Sequence, residues 1–167
     1  MRSRTFAAVF LIVLVAVVLQ TTLFGRFTFV TPDLVLLMSI LFALTRVKPE
    51  LVLGIAFLSG LTVDLLGSSI LGLRAIVFTS AAYVAIRSRE RAEAGRIYTA
   101  LWAGMVSLLA VFLLVLVGTL FGQSSILGEE VFTRMLLVPL ANIVVAYLLA
   151  PMIVRIVDHD PAALRYS

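Results

Sequence analysis

Long runs of apolar residues, separated by short polar segments, dominate the chain. A transmembrane helix needs about 20 predominantly apolar residues, because the hydrocarbon core of a bilayer is about 30 Å thick. The pattern predicts an all-α integral membrane protein that forms a bundle of six transmembrane helices. The predicted spans cover residues 6–24, 32–45, 49–66, 70–86, 97–121 and 135–157. They form a single membrane domain, 1–157, and a polar cytoplasmic tail, 158–167, follows it.

Prolines and acidic residues mark the start of two predicted helices. Pro32 and Asp33 precede the second helix, and Pro49 and Glu50 open the third. Proline fits the first turn of a helix, and a carboxylate is favoured at its positive end. The second span is short, so it requires flanking residues, little tilt or a thinner bilayer. The segment from Gly67 to Gly72 is predicted to be either an outer loop or a non-helical segment that dips into the membrane.

Basic residues predict the orientation of the bundle, because they are enriched in cytoplasmic loops. With a cytoplasmic N-terminus and six spans, ten of the 13 basic residues lie inside, and Arg26, Arg74 and Arg134 lie outside. Both termini are therefore predicted to be cytoplasmic. The net charge of +4 fits this orientation and contact with anionic lipids, and it gives no indication of nucleic-acid binding.

Composition narrows the functional class. The chain is 62% hydrophobic and 13% charged, whereas soluble domains are about 45–50% apolar and about 25% charged. A water-soluble fold is thereby excluded. The chain has no cysteine, and its single histidine, His159, lies in the polar tail. Asp64 is the only acidic residue expected within the membrane, because Asp33 and Glu50 lie at helix starts, so neither a metal site nor paired acid–base catalysis is expected. The sequence therefore predicts a protein that is not an enzyme, with no catalytic residue, metal or cofactor.

Four polar residues from four predicted helices share the outer half of the bilayer: Gln20, Asp64, Arg74 and Asn142. One hypothesis is a polar cavity open to the outside, or a seam that receives a partner helix. The alternative is structural. Asp64 would then cap the following turn or pair with Arg74, while Gln20 and Asn142 form interhelical hydrogen bonds.

Two further groups of residues are candidates for packing and for surface contacts. Gly54, Gly60 and Gly104 are candidate helix-packing positions, since small residues let helices approach closely. The loop between the fourth and fifth predicted spans carries a cytoplasmic basic patch, formed by Arg87, Arg89, Arg91 and Arg96. This patch could bind anionic headgroups or an acidic protein, or it could serve only to orient the bundle.

Several motifs together resemble a known family. They are Leu19–Phe24, Thr31–Leu37, Gly60–Gly67 followed by Leu71–Leu73, and Asn142 in a last span that ends with Pro151 and Arg155. In this order and spacing they resemble the rod shape-determining protein MreD family over about residues 6–157. Arg74 departs from that pattern, because a histidine or a neutral residue is expected there.

The resemblance implies a non-enzymatic scaffold or regulator in the bacterial inner membrane, within the machinery for cell elongation and peptidoglycan synthesis. The implied partners are MreC above all, and RodA, a class B penicillin-binding protein and the actin-like MreB, directly or indirectly. A homodimer is left open. The family fold also resembles the six-helix substrate-binding component of energy-coupling-factor transporters. The alternative function is therefore a transporter-like or lipid-binding module with an outward-facing polar cavity.

Overall fold

The structure is a computed structural model that describes residues 3–22, 32–67, 70–92, 95–122 and 131–158. Every regular element in these ranges is an α-helix, which confirms the predicted all-α class. The helices are α1 (Ser3–Thr22), α2 (Leu34–Leu44), α3 (Pro49–Leu66), α4 (Leu73–Arg87), α5 (Arg89–Ala92), α6 (Arg96–Leu120) and α7 (Val131–Asp158).

Among the described residues, three helices have the length and apolar composition to cross a membrane: Pro49–Leu66, Arg96–Leu120 and Val131–Val157. The apolar helices Ala8–Thr22 and Leu34–Leu44 are shorter. The 11 residues of α2 rise only about 16 Å at 1.5 Å per residue, about half the thickness of a hydrocarbon core. Length and composition therefore support a membrane protein, and the six complete crossings stay a prediction.

The short α2 lies at the centre of the bundle. It packs against α1, α3, α4, α6 and α7, and these five helices contact one another in the ring order α1, α3, α4, α6, α7 and back to α1. Every residue from Leu34 to Ala43 is buried. A helix that is apolar on all sides is expected to be enclosed by protein or lipid, and here neighbouring helices enclose it.

Side chains cap both ends of α2, where main-chain groups lack intrahelical partners. At its start, Asp33 Oδ1 accepts a hydrogen bond from Leu36 N (3.0 Å), and Gln20 Oε1 of α1 accepts one from Leu34 N (2.8 Å). At its end, Arg89 donates from Nε to the carbonyl of Ala43 (2.6 Å) and from Nη2 to that of Val47 (2.9 Å). The centre of the fold is thus tied to elements far away in the sequence.

Glycines allow close contact between neighbours in the ring. A Cβ atom added to Gly60 of α3 would lie 2.6 Å from Ala75 Cα of α4, and one added to Gly104 of α6 would collide with the Ile143 side chain of α7. A Cβ at Gly54 would have no atom within 4 Å. Two of the three candidate packing glycines therefore lie at helix contacts, and the third faces open space.

The start of α4 and the loop that follows this helix differ from the predicted spans for local reasons. Gly72 has a φ of +90° immediately before α4, so the helix begins at Leu73 and not at residue 70. This backbone conformation favours glycine. In the charged loop after α4, Arg89–Ala92 form the additional short helix α5.

Candidate functional site

Asp64 joins α3 to the start of α4. Its side chain lies in the last turn of α3, and the residue is only 3% exposed. Its Oδ2 atom accepts hydrogen bonds from the backbone N–H groups of Gly72 and Arg74, each at 2.9 Å. These donors lie at the positive end of α4, where a carboxylate is favoured. The turn that contains Gly72 is therefore fixed by a carboxylate from the preceding helix.

Arg74 extends this link to α2. Its Nε lies 3.8 Å from Asp64 Oδ1, and its Nη1 lies 3.6 Å from Asp33 Oδ2. Asp33 also caps α2 through Leu36. We call Asp33, Asp64 and Arg74 the ion cluster. It connects α2, α3 and α4, and its only exposed parts are the Arg74 and Asp33 side chains, at 30% and 18%.

Gln20 lies beside the ion cluster, whereas Asn142 lies elsewhere. Gln20 bonds to Leu34, the residue after Asp33. Asn142 is fully buried between α6 and α7, where its Nδ2 donates to Ser107 Oγ (3.0 Å). Within the described residues, Asn142 Oδ1 has no hydrogen-bond partner. The four residues that the sequence places in one outer group therefore form two separate polar contacts.

Asp33 is the member of the ion cluster that sequence reasoning missed. The sequence identifies it only as a helix-start residue together with Pro32. Its proximity to Arg74 follows from the parallel direction of the neighbours α2 and α4, whose N-terminal ends lie on the same side when successive spans alternate. Both residues precede or open a helix that starts outside in the predicted topology, and that shared position is the signal that could have paired them.

A groove of about 400 Å³ lies between α1 and α3. Phe10, Leu14 and Val17 of α1 and Leu51, Gly54 and Leu58 of α3 line it, with Glu50 at one end and Thr62 at the other. We call it the α1–α3 groove. None of Gln20, Asp64, Arg74 and Asn142 lines it, so it is distinct from the polar cavity that the sequence suggests.

The residues of the predicted basic patch lie in different environments. Arg87 is exposed at the end of α4. Arg89 instead reaches back to the carbonyls at the end of α2. Arg96 packs on α7, and the side chain of Arg91 lies outside the described residues. The contacts of Arg89 and Arg96 give these two residues a structural role inside the bundle.

Arg96 compensates for a proline in α7. Proline has no N–H, so Pro151 leaves the carbonyl of Tyr147, four residues earlier, without its intrahelical donor. Arg96 Nε donates to that carbonyl at 2.6 Å, and the guanidinium carbon lies 4.0 Å from the centroid of the Tyr147 ring. Both a hydrogen bond and a cation–π contact therefore join α6 to α7 at this position.

The remaining turn residues have local roles. The N–H of Gly67, the residue after α3, donates to the carbonyl of Val63 at 3.0 Å. Residues 68 and 69 lie outside the described residues, so the dipping segment stays a prediction. Among the described residues, no group of three His, Cys, Asp or Glu side chains could hold a metal ion.

A helical bundle with membrane-length apolar helices, in which polar side chains connect one helix to another, defines the class of helical membrane proteins. The family model for rod shape-determining protein MreD matches residues 1–158 of the 167-residue chain. The chain belongs to the MreD family, which confirms the resemblance seen in the sequence and indicates a rod-shape-determining membrane protein. Comparisons with curated proteins and with solved structures found no match.

Proposed function

We propose that this protein is a non-enzymatic scaffold of the cell-elongation machinery in the bacterial inner membrane, and that it binds MreC through its transmembrane helices. The observation that carries the proposal is the use of Asp64, Arg74, Arg89 and Arg96 in contacts between helices. Such a bundle has a defined shape, and its outer helix faces are available to partners. RodA, a class B penicillin-binding protein and MreB would join through MreC or directly.

The proposed topology has six crossings and two cytoplasmic ends. The lengths of α3, α6 and α7 support it, as does the excess of basic residues on the predicted inner side. The ion cluster would then lie near the outer surface, and Arg87 and Arg89 near the inner one. This orientation places the caps of α2 toward opposite sides of the membrane.

Co-purification with MreC tests the scaffold. The two proteins are co-expressed, solubilised in detergent and isolated through a tag on this chain. We expect MreC to be retained, and we expect Asp64→Ala and Gly60→Leu to reduce its retention and to disturb cell shape. Met105→Ala, at an exposed position of α6, is the matched control. The proposal fails if wild-type protein does not retain MreC and both variants leave cell shape unchanged.

A transporter-like or lipid-binding function is the second candidate. The partial exposure of the Arg74–Asp33 pair at the ion cluster favours it, because a polar headgroup could reach these charges. Native mass spectrometry of protein released from membranes would then detect a bound lipid or small molecule that Arg74→Gln removes. Identical spectra for wild type and variant would count against this function.

A further inference from the structure

The α1–α3 groove follows the bundle for most of the height of α3. Its lining runs from Glu50 to Thr62 on that helix, a rise of about 18 Å. The walls are mainly apolar, and the side chains of Phe10 and Leu58 on its two sides are 59% and 62% exposed. An elongated apolar occupant that runs along the helix axis matches this shape better than a compact soluble ligand does.

Gly54 gives the groove a floor that a second backbone can approach. A Cβ at this position would meet no atom within 4 Å, whereas at Gly60 and Gly104 it would meet a neighbouring helix of the bundle. Close approach over small residues is how helices associate in membranes, where there is no hydrophobic driving force between them. Gly54 therefore offers a helix-packing position that no helix among the described residues occupies.

The charge of Glu50 favours one of two elongated apolar occupants, a transmembrane helix, over the other, a phospholipid. Its exposed carboxylate lies at one end of the groove, which is cytoplasmic in the proposed topology. The phosphate of a phospholipid would be repelled there, since like charges repel. A transmembrane helix of a partner protein carries Lys or Arg preferentially on its cytoplasmic flank, and such a residue would be attracted.

We propose that the α1–α3 groove binds the transmembrane helix of a partner protein, whose basic cytoplasmic flank pairs with Glu50 and whose backbone packs over Gly54. The proposal rests on the proposed function for its orientation. Under that function, the single transmembrane helix of MreC is the occupant. Helix α6 lies across the ring from this groove.

Two substitutions with matched controls test the groove by co-purification with MreC. Gly54→Leu fills the groove without a collision inside the bundle, and Gly54→Ala leaves most of it open. Glu50→Lys reverses the charge at its end, and Glu90→Lys makes the same change on α5, outside the groove. We expect Gly54→Leu and Glu50→Lys each to lower the retained MreC about tenfold. The two controls should retain wild-type levels, and an acidic residue on the MreC flank should restore binding to Glu50→Lys.

The outcomes of these experiments distinguish the groove proposal from the scaffold proposal. If wild-type protein retains MreC and Gly54→Leu retains it equally, the groove proposal is overturned and the scaffold proposal stands. If wild-type protein retains no MreC, the scaffold proposal fails, and the groove is then judged by a photoreactive amino acid at Leu58. Crosslinking of this residue to phospholipid alone overturns the groove proposal.

Cysteine crosslinking adds a direct geometric readout, because the chain has no cysteine of its own. Leu14→Cys lies in the groove, and Leu148→Cys lies on the exposed face of α7. Each is paired with single cysteines along the MreC helix. Disulfides that form only with Leu14→Cys, and recur every three or four residues of the partner, support helix docking. Equal crosslinking from both positions contradicts it.

Discussion

Single polar side chains secure the main-chain groups of this bundle. Asp64 accepts from two N–H groups at the start of α4, and Gln20 accepts from one at the start of α2. Arg89 donates to one carbonyl in the last turn of α2 and to one just after it. In hydrocarbon, main-chain polar groups need partners within the protein, because no water replaces them. The few charged residues are thus concentrated where helices end.

Replacing Asp64 should destabilise the bundle more than replacing any exposed carboxylate. Asp64→Ala removes the acceptor of two backbone donors and leaves Arg74 with one carboxylate, a loss of about 2–4 kcal/mol. Asp64→Asn keeps an acceptor oxygen and should lose about half as much. Thermal unfolding in detergent, followed by circular dichroism, measures the difference. Glu50→Gln is the control, and a loss no larger than that control would contradict the assigned role.

At this scale the sequence predicted polar contacts but not all of their partners. It offered the pairing of Asp64 with Arg74 as one alternative, and this pairing occurs. It grouped Asn142 with the same residues, whereas Asn142 contacts Ser107. Depth along a helix can be estimated from residue number. The direction in which a side chain points around the helix depends on how the helices pack. A single sequence does not determine that packing when its helices are apolar on all sides.

The close packing of neighbouring helices depends on glycines as well as on contacts between side chains. Gly60 brings α3 against the backbone of α4 at Ala75, so the ion cluster and this close contact share one interface. Gly104 brings α6 against Ile143 of α7. Backbone has little freedom to move away from a new methyl group, whereas the end of an isoleucine side chain has more.

The three glycines should therefore respond differently to alanine. Gly60→Ala should cost about 1–3 kcal/mol because the methyl group meets backbone. Gly104→Ala should cost less, because Ile143 can change rotamer. Gly54→Ala should stabilise by about 0.5–1 kcal/mol through helix propensity. Unfolding of the three variants under identical detergent conditions gives the order, and equal effects at Gly54 and Gly60 would refute the packing argument.

The contact between α6 and α7 at Arg96 can be isolated with a double-mutant cycle. In wild-type protein, Arg96→Ala removes the donor to the Tyr147 carbonyl and should cost about 1–2 kcal/mol. In a Pro151→Ala background the alanine N–H can bond to that carbonyl, so the same change should cost about 1 kcal/mol less. Equal losses in both backgrounds would show that Arg96 does not compensate for the proline.

Elements with strong boundary signals were predictable, and those shaped by neighbours were not. Helix α3 covers 49–66, the range of its predicted span, since Pro49 opens it. The start of α4 at Leu73 depends on the backbone of Gly72, and α5 arises inside a loop that the charge pattern alone describes as polar. Neither feature produces a periodic pattern of apolar residues, so neither could be predicted from the sequence.

In the part of the chain that the structure describes, five helices form a ring around α2, and the short α5 lies beside α6. The sequence predicted a helical membrane protein and its family, because composition and motif order suffice for both. It did not predict which helix is central. All the long runs are apolar, and α2 differs from them only in being short and in lacking polar residues other than Ser39. Enclosure by five neighbours explains both properties.

Labelling of single cysteines in intact cells or spheroplasts should establish the topology. A reagent that does not cross membranes should label Leu71→Cys and Phe121→Cys from outside, and Arg87→Cys only after the membrane is opened. All three positions are exposed in the structure, so differences in labelling report the side of the membrane. Labelling of Arg87→Cys from outside would contradict six crossings with cytoplasmic ends.

The enclosed position of α2 has a consequence for the order in which the protein is assembled. The carbonyl of Ala43, in its last turn, accepts a hydrogen bond from Arg89, which lies 46 residues later in the chain. At synthesis rates of about 5–20 residues per second, Arg89 follows Ala43 by about 2–9 seconds. During that interval α2 has neither its cap nor most of its surrounding ring. Nascent chains that end before α5 should therefore hold α2 weakly, and we expect α2 to be held firmly only when the second half of the chain has packed around it.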